Sequence, residues 1–150
     1  MAAYLDVITL ERAKNYLRID AELEADDAEI TSMINAALRY IEKRTNHLVY
    51  PREATYTGVC QVKVYDYPIN SITTDPAPWL VERTMYTIFP DVKTVDLNVG
   101  YETPDLVPDE LIQAALQMIK VWYYESEKQV NSTLIPESVK EALDVYRRFI

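Results

Sequence analysis

The residues that could do chemistry are few in this sequence. It contains one histidine, His47, and one cysteine, Cys60. A serine or cysteine hydrolase needs a nucleophile, a base and a third group that orients the base, so only one thiol–imidazole pairing is available. Cys60 lies in the strand-like stretch 58–64, where a free cysteine usually acts as a small buried hydrophobe. A lone histidine after a helix end usually packs or turns the chain, so we predict no catalytic role for either residue.

Carboxylates are abundant, since 24 Asp and Glu against 15 Lys and Arg give a net charge of −9. Among so many carboxylates, pairs at the spacing of a glycosidase site arise by chance, so such pairs do not indicate a glycosidase. A local cluster in 20–29 suggests cation binding only weakly, because it lacks the glycine and the closing glutamate of a calcium loop. It is interpreted as a solvated loop and helix start. With no zinc spacing, phosphate loop or dinucleotide motif in the sequence, we predict no enzyme, no metal and no cofactor. The cluster comprises Asp20, Glu22, Glu24, Asp26, Asp27 and Glu29.

The net charge and the apolar pattern also disfavour several partners and locations. An acidic surface repels phosphate backbones, so direct binding of nucleic acid is not expected. A single cysteine cannot form an internal disulfide and is typical of a reducing cytoplasm. The sequence shows no signal-peptide pattern and no run of about 18 apolar residues, so we expect neither secretion nor a membrane span.

Two amphipathic helices are predicted in the N-terminal part. Thr9 is a suitable N-cap for a short first helix with apolar residues at spacings of three and four. Asp26 and Glu29 resemble a capping box that opens a second helix, 27–45, with apolar residues on one face. Asn46 stands where that helix must end, and asparagine tolerates the left-handed conformation there.

The middle of the chain, about 54–101, alternates between apolar and polar residues with a period of two, which predicts strands such as 84–89 and 94–99. Prolines interrupt this pattern, so the predicted sheet is small, antiparallel and broken by loops, the least regular being 75–79. The interrupting prolines are Pro68, Pro76, Pro78 and Pro90.

Two further helices are predicted at the C-terminal end. Pro108 opens a long helix to about Lys128, whose apolar residues cover an arc of roughly 220°, about twice the stripe of a surface helix. Either the subunit's own core or a neighbouring subunit must cover that arc. Pro136 opens a final helix whose apolar face continues to Phe149 and Ile150, so this end is expected to dock on the subunit's core or on a partner.

Together these elements predict a helix-rich α+β fold. An N-terminal helix pair packs with the long and the short C-terminal helices, and a small antiparallel β insertion lies between them in the sequence. We predict one domain, 1–150, with a helical core of 9–46 and 108–150 and a β-rich insertion of about 54–101.

The order of several segments resembles phage head-tail connector proteins of long-tailed bacteriophages. The N-terminal half matches through the opening VITLERAKNYLRID at 7–20, the pair Asp26-Asp27 and the helix that ends in Thr45-Asn46. The resemblance continues through YPINSI at 67–72, VGY at 99–101, VPDEL at 107–111, WYYE at 122–125 and Tyr146-Arg147. Two departures are Asn46, where members often carry glycine, and a longer middle region, 68–99.

This resemblance implies a non-enzymatic head-completion (adaptor) protein. Its copies would form a ring, a dodecamer in the virion, that binds the portal protein after DNA packaging and extends the exit channel. The ring would offer a platform to head-closure or tail proteins, and genomic DNA would pass through it without sequence-specific binding. The implied location is the virion head–tail interface, with the host cytoplasm during assembly, and no membrane or cofactor is involved.

The apolar chain end and the wide helical arc supply candidate contact residues, and polar contacts between subunits by three arginines are a separate prediction. For the portal they are Tyr146, Arg147, Phe149 and Ile150, and deletion of 144–150 is expected to abolish portal binding while leaving a folded subunit. For contacts between subunits they are the polar Arg12, Arg39 and Arg44 and the apolar Met118, Trp122 and Tyr123.

Two other functions remain open from the sequence alone. The net charge would also fit a small acidic regulatory or inhibitor protein that binds a basic partner, and this alternative predicts a monomer or dimer. A small enzyme with a site assembled across subunits would instead show a deep pocket with converging polar groups.

Overall fold

Helices from both ends of the chain pack into one layer. In the computed structural model, which describes residues 3–126 and 135–148, α4 contacts α2, α3 and α5, while α3 also contacts α1 and α5. These helices are α1 (Tyr4–Val7), α2 (Leu10–Leu17), α3 (Asp27–Thr45), α4 (Asp109–Ser126) and α5 (Glu137–Asp144). The predicted helix pairs are confirmed, and α1 is an additional element. Among the described residues, no helix has both the length and the apolarity that a membrane span requires.

The helix ends show which capping predictions hold. The Thr9 hydroxyl accepts a hydrogen bond from the Arg12 N–H at 3.2 Å, and Asn46 adopts the left-handed conformation with φ 58°. Both predictions are confirmed. The prediction of a capping box at Asp26 is wrong. The Asp26 side chain forms no capping hydrogen bond and instead accepts a hydrogen bond from the Tyr123 hydroxyl at 2.6 Å. Pro108 and Pro136 each lie one residue before their helix rather than at its first position.

The middle of the chain is antiparallel, as predicted for this region, but it forms two three-stranded sheets where one small sheet was predicted. One has the order β1-β6-β3 and the other β2-β5-β4. The predicted strand 84–89 starts later, because Arg83 and Tyr86 close a turn through an N–H···O bond of 2.8 Å. The strands are β1 (Arg52–Thr57), β2 (Gln61–Val64), β3 (Ile69–Ile72), β4 (Val81–Glu82), β5 (Thr87–Pro90) and β6 (Thr94–Val99).

A small second core lies between these sheets. Alternate residues of β2 and β6 point inward and are buried, as the period of two predicts. The buried set is Val62, Val64, Phe89, Val95, Leu97 and Val99. Cys60 does not join this core, so its prediction as a buried hydrophobe is wrong. It is exposed in the turn between β1 and β2, one residue before the alternation begins.

A buried carboxylate connects the helical layer to the sheets. Glu42 of α3 accepts hydrogen bonds from the Tyr4 hydroxyl at 2.7 Å and the Val49 N–H at 3.0 Å, and it forms an ion pair with Arg52 of β1. Burying a carboxylate is costly unless its oxygens are fully paired. Three donors from three segments meet that requirement and fix where β1 leaves the helices.

The subunit itself covers the wide apolar arc of α4. After its exposed first turn, the exposed described positions of α4 are the polar stripe Gln113, Gln117, Lys120 and Tyr124, as the helical spacing predicts. Met118 is 0% exposed and Trp122 is 8% exposed, and both belong to the main core. Met118 therefore has no surface to offer a neighbouring copy, and its expected interface role is replaced by a core role.

Truncating Met118 tests this placement. We expect Met118→Ala to lower the free energy of unfolding of the subunit by about 2–5 kcal/mol, because it removes buried contacts and leaves a cavity. The adjacent exposed Gln117→Ala should change it by less than about 0.5 kcal/mol. Urea unfolding followed by circular dichroism measures both. Equal stability of the two variants, with assembly alone impaired by Met118→Ala, would contradict the core placement.

Candidate docking surfaces

The residues after α5 form a tail segment, Val145–Arg148, that crosses from the helices to a sheet. The Arg148 N–H donates to the Thr45 carbonyl at 3.1 Å, and the Asn46 amide donates to the Arg148 carbonyl at 2.5 Å. The Arg148 Nε donates to the Met85 carbonyl at 3.0 Å, in the turn between β4 and β5. The tail segment thus connects the C-terminal end of α3 to the second sheet.

An aromatic cluster lies beside the tail segment and comprises His47, Tyr67, Tyr101 and Tyr146. The His47 ring centroid is 5.0 Å from that of Tyr67 and 5.6 Å from that of Tyr146. The Arg148 guanidinium stacks over Tyr67 at 4.8 Å. A cavity of about 520 Å³ opens between the cluster, Met85 and Pro108. The tail segment therefore rests on a partly filled aromatic surface.

The single histidine is a packing residue, as predicted. Its Nδ1 is 2.8 Å from the Tyr101 hydroxyl, and its side chain is buried. Burial lowers the pKa of His47 to about 4, and the positive charge of Arg148 acts in the same direction. Burial also raises the pKa of Tyr101. His47 is therefore neutral at neutral pH and acts through shape and one hydrogen bond.

The portal-contact candidates lie in or next to the tail segment. Tyr146 and Arg147 are half-buried, and Val145 beside them is 83% exposed. Phe149 and Ile150 lie outside the described residues. Deletion of 144–150 would also remove the Asp144–Arg44 ion pair of 2.8 Å and the contacts of Arg148. Substitution of exposed tail positions therefore separates docking from folding better than deletion does.

The candidates for contacts between subunits fall into two groups. Arg12 of α2 and Arg39 of α3 are exposed, so both can meet another molecule. Arg44 already pairs with Asp144, Tyr123 donates to Asp26, and Trp122 is nearly covered. Lys43, one turn beyond Arg39, is exposed as well, although the sequence reasoning did not select it.

A groove of about 420 Å³ separates α4 from α5. Its acidic end is formed by the first turn of α4, where carboxylates are also favoured by the helix dipole. Its floor consists of small or buried apolar side chains. The lining residues are Asp109, Glu110, Gln113, Ala114, Gln117, Ser138, Val139 and Ala142.

A buried lysine organises the acidic loop. The Lys14 ammonium donates to the carbonyls of Ala21 at 3.0 Å and Leu23 at 2.7 Å, and to the Asp27 carboxylate at 2.7 Å. These three oxygens surround the positively charged Lys14 ammonium. Among the described residues, no group of side chains could hold a metal ion. Sequence reasoning missed Lys14, although its position one residue after Ala13 on the buried face of α2 was a signal.

The β insertion also exposes large apolar side chains. Trp79, in the loop 75–79 that was predicted as irregular, is 60% exposed, and Leu80 directly after that loop is also exposed. Val59 at the turn between β1 and β2 is 83% exposed, as is Val145 of the tail segment. The subunit therefore presents apolar side chains on the insertion and on the tail segment.

Comparisons with known proteins match this chain over nearly all of its length. Residues 7–150 match the family described as phage gp6-like head-tail connector protein. A chain from the neck of an empty gene transfer agent particle, computed with C6 symmetry, has a TM-score of 0.74 at 19% identity. A chain from the virion of a native gene transfer agent particle has the same TM-score at 17% identity. Each of the two structural comparisons covers 100% of this chain and 94% of the other, and at these identities they show a shared fold. No curated protein matches the sequence.

The aromatic cluster predicts a dependence of stability on pH. The unfolded chain protonates His47 near pH 6.5, whereas the folded subunit holds it neutral down to about pH 4. The unfolded state therefore binds more protons between these values, so the free energy of unfolding should fall as the pH is lowered, by up to about 3 kcal/mol. Urea unfolding at pH 4, 5, 6 and 7 measures this fall. His47→Gln should lose that part of the dependence, and an identical profile for both proteins would refute the assignment.

Proposed function

This chain belongs to the phage gp6-like head-tail connector protein family, and on that premise we propose that its copies form a ring between the portal and the tail of a tailed bacteriophage. The protein is a structural connector subunit of the virion head–tail interface. The observation that carries the proposal is the family match over residues 7–150, together with a fold shared along the whole chain with neck and virion proteins.

The proposed ring has twelve copies, with the portal on one side and a head-closure or tail protein on the other. We propose that 1–150 acts as one connector domain, because the shared fold includes both the helical core, 9–46 and 108–150, and the β-rich insertion, 54–101. A closed ring needs two different contact surfaces on each copy, one for each neighbour. The exposed arginines of α2 and α3 and the α4–α5 groove supply such surfaces.

The tail segment is the proposed portal contact. Val145 is largely exposed, and Arg147 and Arg148 follow within three residues, so apolar and basic groups adjoin in a subunit whose net charge is −9. A basic patch on an acidic protein directs an approach toward an acidic partner surface. Of the candidate residues within the described structure, Tyr146 and Arg147 remain the proposed contacts.

Genomic DNA is proposed to pass through the ring without being held. The net charge of −9 leaves few cations to displace counterions from a duplex, so a channel wall made by this subunit would bind phosphates weakly. Sequence-specific recognition of DNA would require side chains that reach the edges of the bases, whereas passage of the duplex through the ring requires none.

The proposal includes the absence of catalysis. The His47 ring nitrogen engages Tyr101 inside the aromatic cluster, and Cys60 lies exposed in a turn of the sheet region. The two residues serve different parts of the fold, which does not favour a thiol–imidazole site. The acidic-inhibitor alternative rests on net charge alone, whereas the connector assignment rests on the family match.

Val145→Asp tests the tail segment as the portal contact. We expect affinity for purified portal to fall by at least about tenfold, because a carboxylate replaces an apolar contact that would be desolvated. Val59→Asp is a matched control, since Val59 has the same 83% exposure but lies in the turn between β1 and β2, outside the tail segment. Biolayer interferometry with immobilised portal measures both affinities.

Both substitutions affect exposed side chains and should change the free energy of unfolding by less than about 0.5 kcal/mol. Loss of portal binding in Val59→Asp, with full binding in Val145→Asp, would assign the portal contact to the β insertion instead. Absence of portal binding by the wild-type protein would count against the connector proposal itself.

A further inference from the structure

Assembly of an acidic subunit into a ring poses an electrostatic problem. Copies that each carry −9 repel one another unless their contact surfaces pair cations of one copy with carboxylates of the next. Four ion pairs occur within the described part of the chain, and they use Lys14, Arg44, Arg52 and Lys140. Exposed cations outside these pairs are therefore the ones available to a neighbour.

The α3 stripe is one candidate surface and comprises Ser32, Ala36, Arg39 and Lys43. All four side chains are exposed, and their spacing of four, three and four residues places them in one row along the helix. Arg39 and Lys43 form no ion pair with any described residue. The row therefore has small side chains at one end, which permit close approach, and two cations at the other.

The α4–α5 groove has the complementary features. Asp109 and Glu110 lie at its acidic end, while Gln113 and Gln117 continue along α4 and Ala142 of α5 lies opposite. From Asp109 to Gln117 the groove follows α4 for about 12 Å, and the α3 stripe is about 16 Å long, at 1.5 Å per residue. A helix lying in this groove could therefore place both of its charged turns against the acidic end.

The α3 stripe and the exposed α4 positions of the groove lie on two different helices, each on the side turned away from the core. α3 and α4 pack together through their buried faces, and each stripe lies opposite the buried face of its own helix. A subunit with two separate complementary surfaces can bind one identical copy through each of them. Repetition of one such contact gives a ring when the rotation between neighbouring copies closes, and an open filament when it does not.

We propose that the α4–α5 groove of one copy receives the α3 stripe of the adjacent copy, with the two helices antiparallel. Charge selects this direction, because it brings Lys43 to Asp109 and Arg39 to Gln113 and Glu110. A parallel arrangement would instead bring Lys43 toward Lys120. The proposal rests on the proposed ring function and specifies which surfaces close the ring.

A charge-swap experiment tests the pairing. Arg39→Glu with Lys43→Glu should lower the ring population by about tenfold or more, because like charges would then face each other across the interface. Asp109→Lys with Gln113→Lys, which leaves Glu110 unchanged, should have the same effect. Combining all four substitutions should restore the ring. Native mass spectrometry of the full-length protein, alone and with purified portal, counts the copies.

Two further variants make the test specific. Lys63→Glu with Lys93→Glu makes the same change in net charge on exposed positions of the sheet region and should leave the ring population unchanged. Ala142→Trp fills the groove without any change in charge and should prevent assembly, since the exposed Ala142 tolerates a larger side chain in the monomer. Circular dichroism spectra equal to the wild-type spectrum establish that each variant is folded.

The outcomes separate this inference from the function on which it rests. Recovery of the ring in the fourfold variant supports the pairing. Rings of normal abundance in Arg39→Glu/Lys43→Glu and in Ala142→Trp would overturn the pairing while leaving the connector function intact. A wild-type protein that forms no ring, either alone or on the portal, would overturn both.

Discussion

The structure depends on the burial of most of one helical surface inside an acidic subunit. α4 carries apolar side chains around most of its circumference, and α2, α3 and α5 cover them. Burial of this area is the main favourable term in folding, at about 25 cal/mol per Å² of apolar surface. The subunit buries this apolar surface within its own core. Its contacts with other molecules must therefore use the exposed surface, which comprises charged stripes, a groove, the tail segment and exposed side chains of the insertion.

Sequence reasoning predicted the elements well because their signals are local. Helical spacing identified the polar stripe of α4, and the left-handed tolerance of Asn46 identified the end of α3. The sequence could not show which elements cover the apolar arc of α4. A helical pattern indicates how much surface must be buried, but it does not identify the element that buries it. Cys60 shows the same limit at short range: a shift of one residue in the strand start moved it from the core to the surface.

The candidate site was less predictable, because its contacts join residues distant in sequence. The sequence around Asp26 is typical of a helix N-cap, but the Asp26 carboxylate instead accepts a hydrogen bond from the hydroxyl of Tyr123, 97 residues away. The Lys14 ammonium organises the acidic loop through two backbone carbonyls, an arrangement that no motif encodes. The tail segment appeared as an apolar chain end, whereas its described part is held by Thr45, Asn46 and Met85. Such pairings follow from tertiary packing alone.

A cryo-electron microscopy map of the wild-type protein assembled on purified portal tests the central claim most directly. We expect a ring in which the tail segment meets the portal and each α4–α5 groove holds the α3 stripe of a neighbour. A map in which single subunits sit on the portal without lateral contacts, or in which the groove and the stripe both face solvent, would contradict the claim.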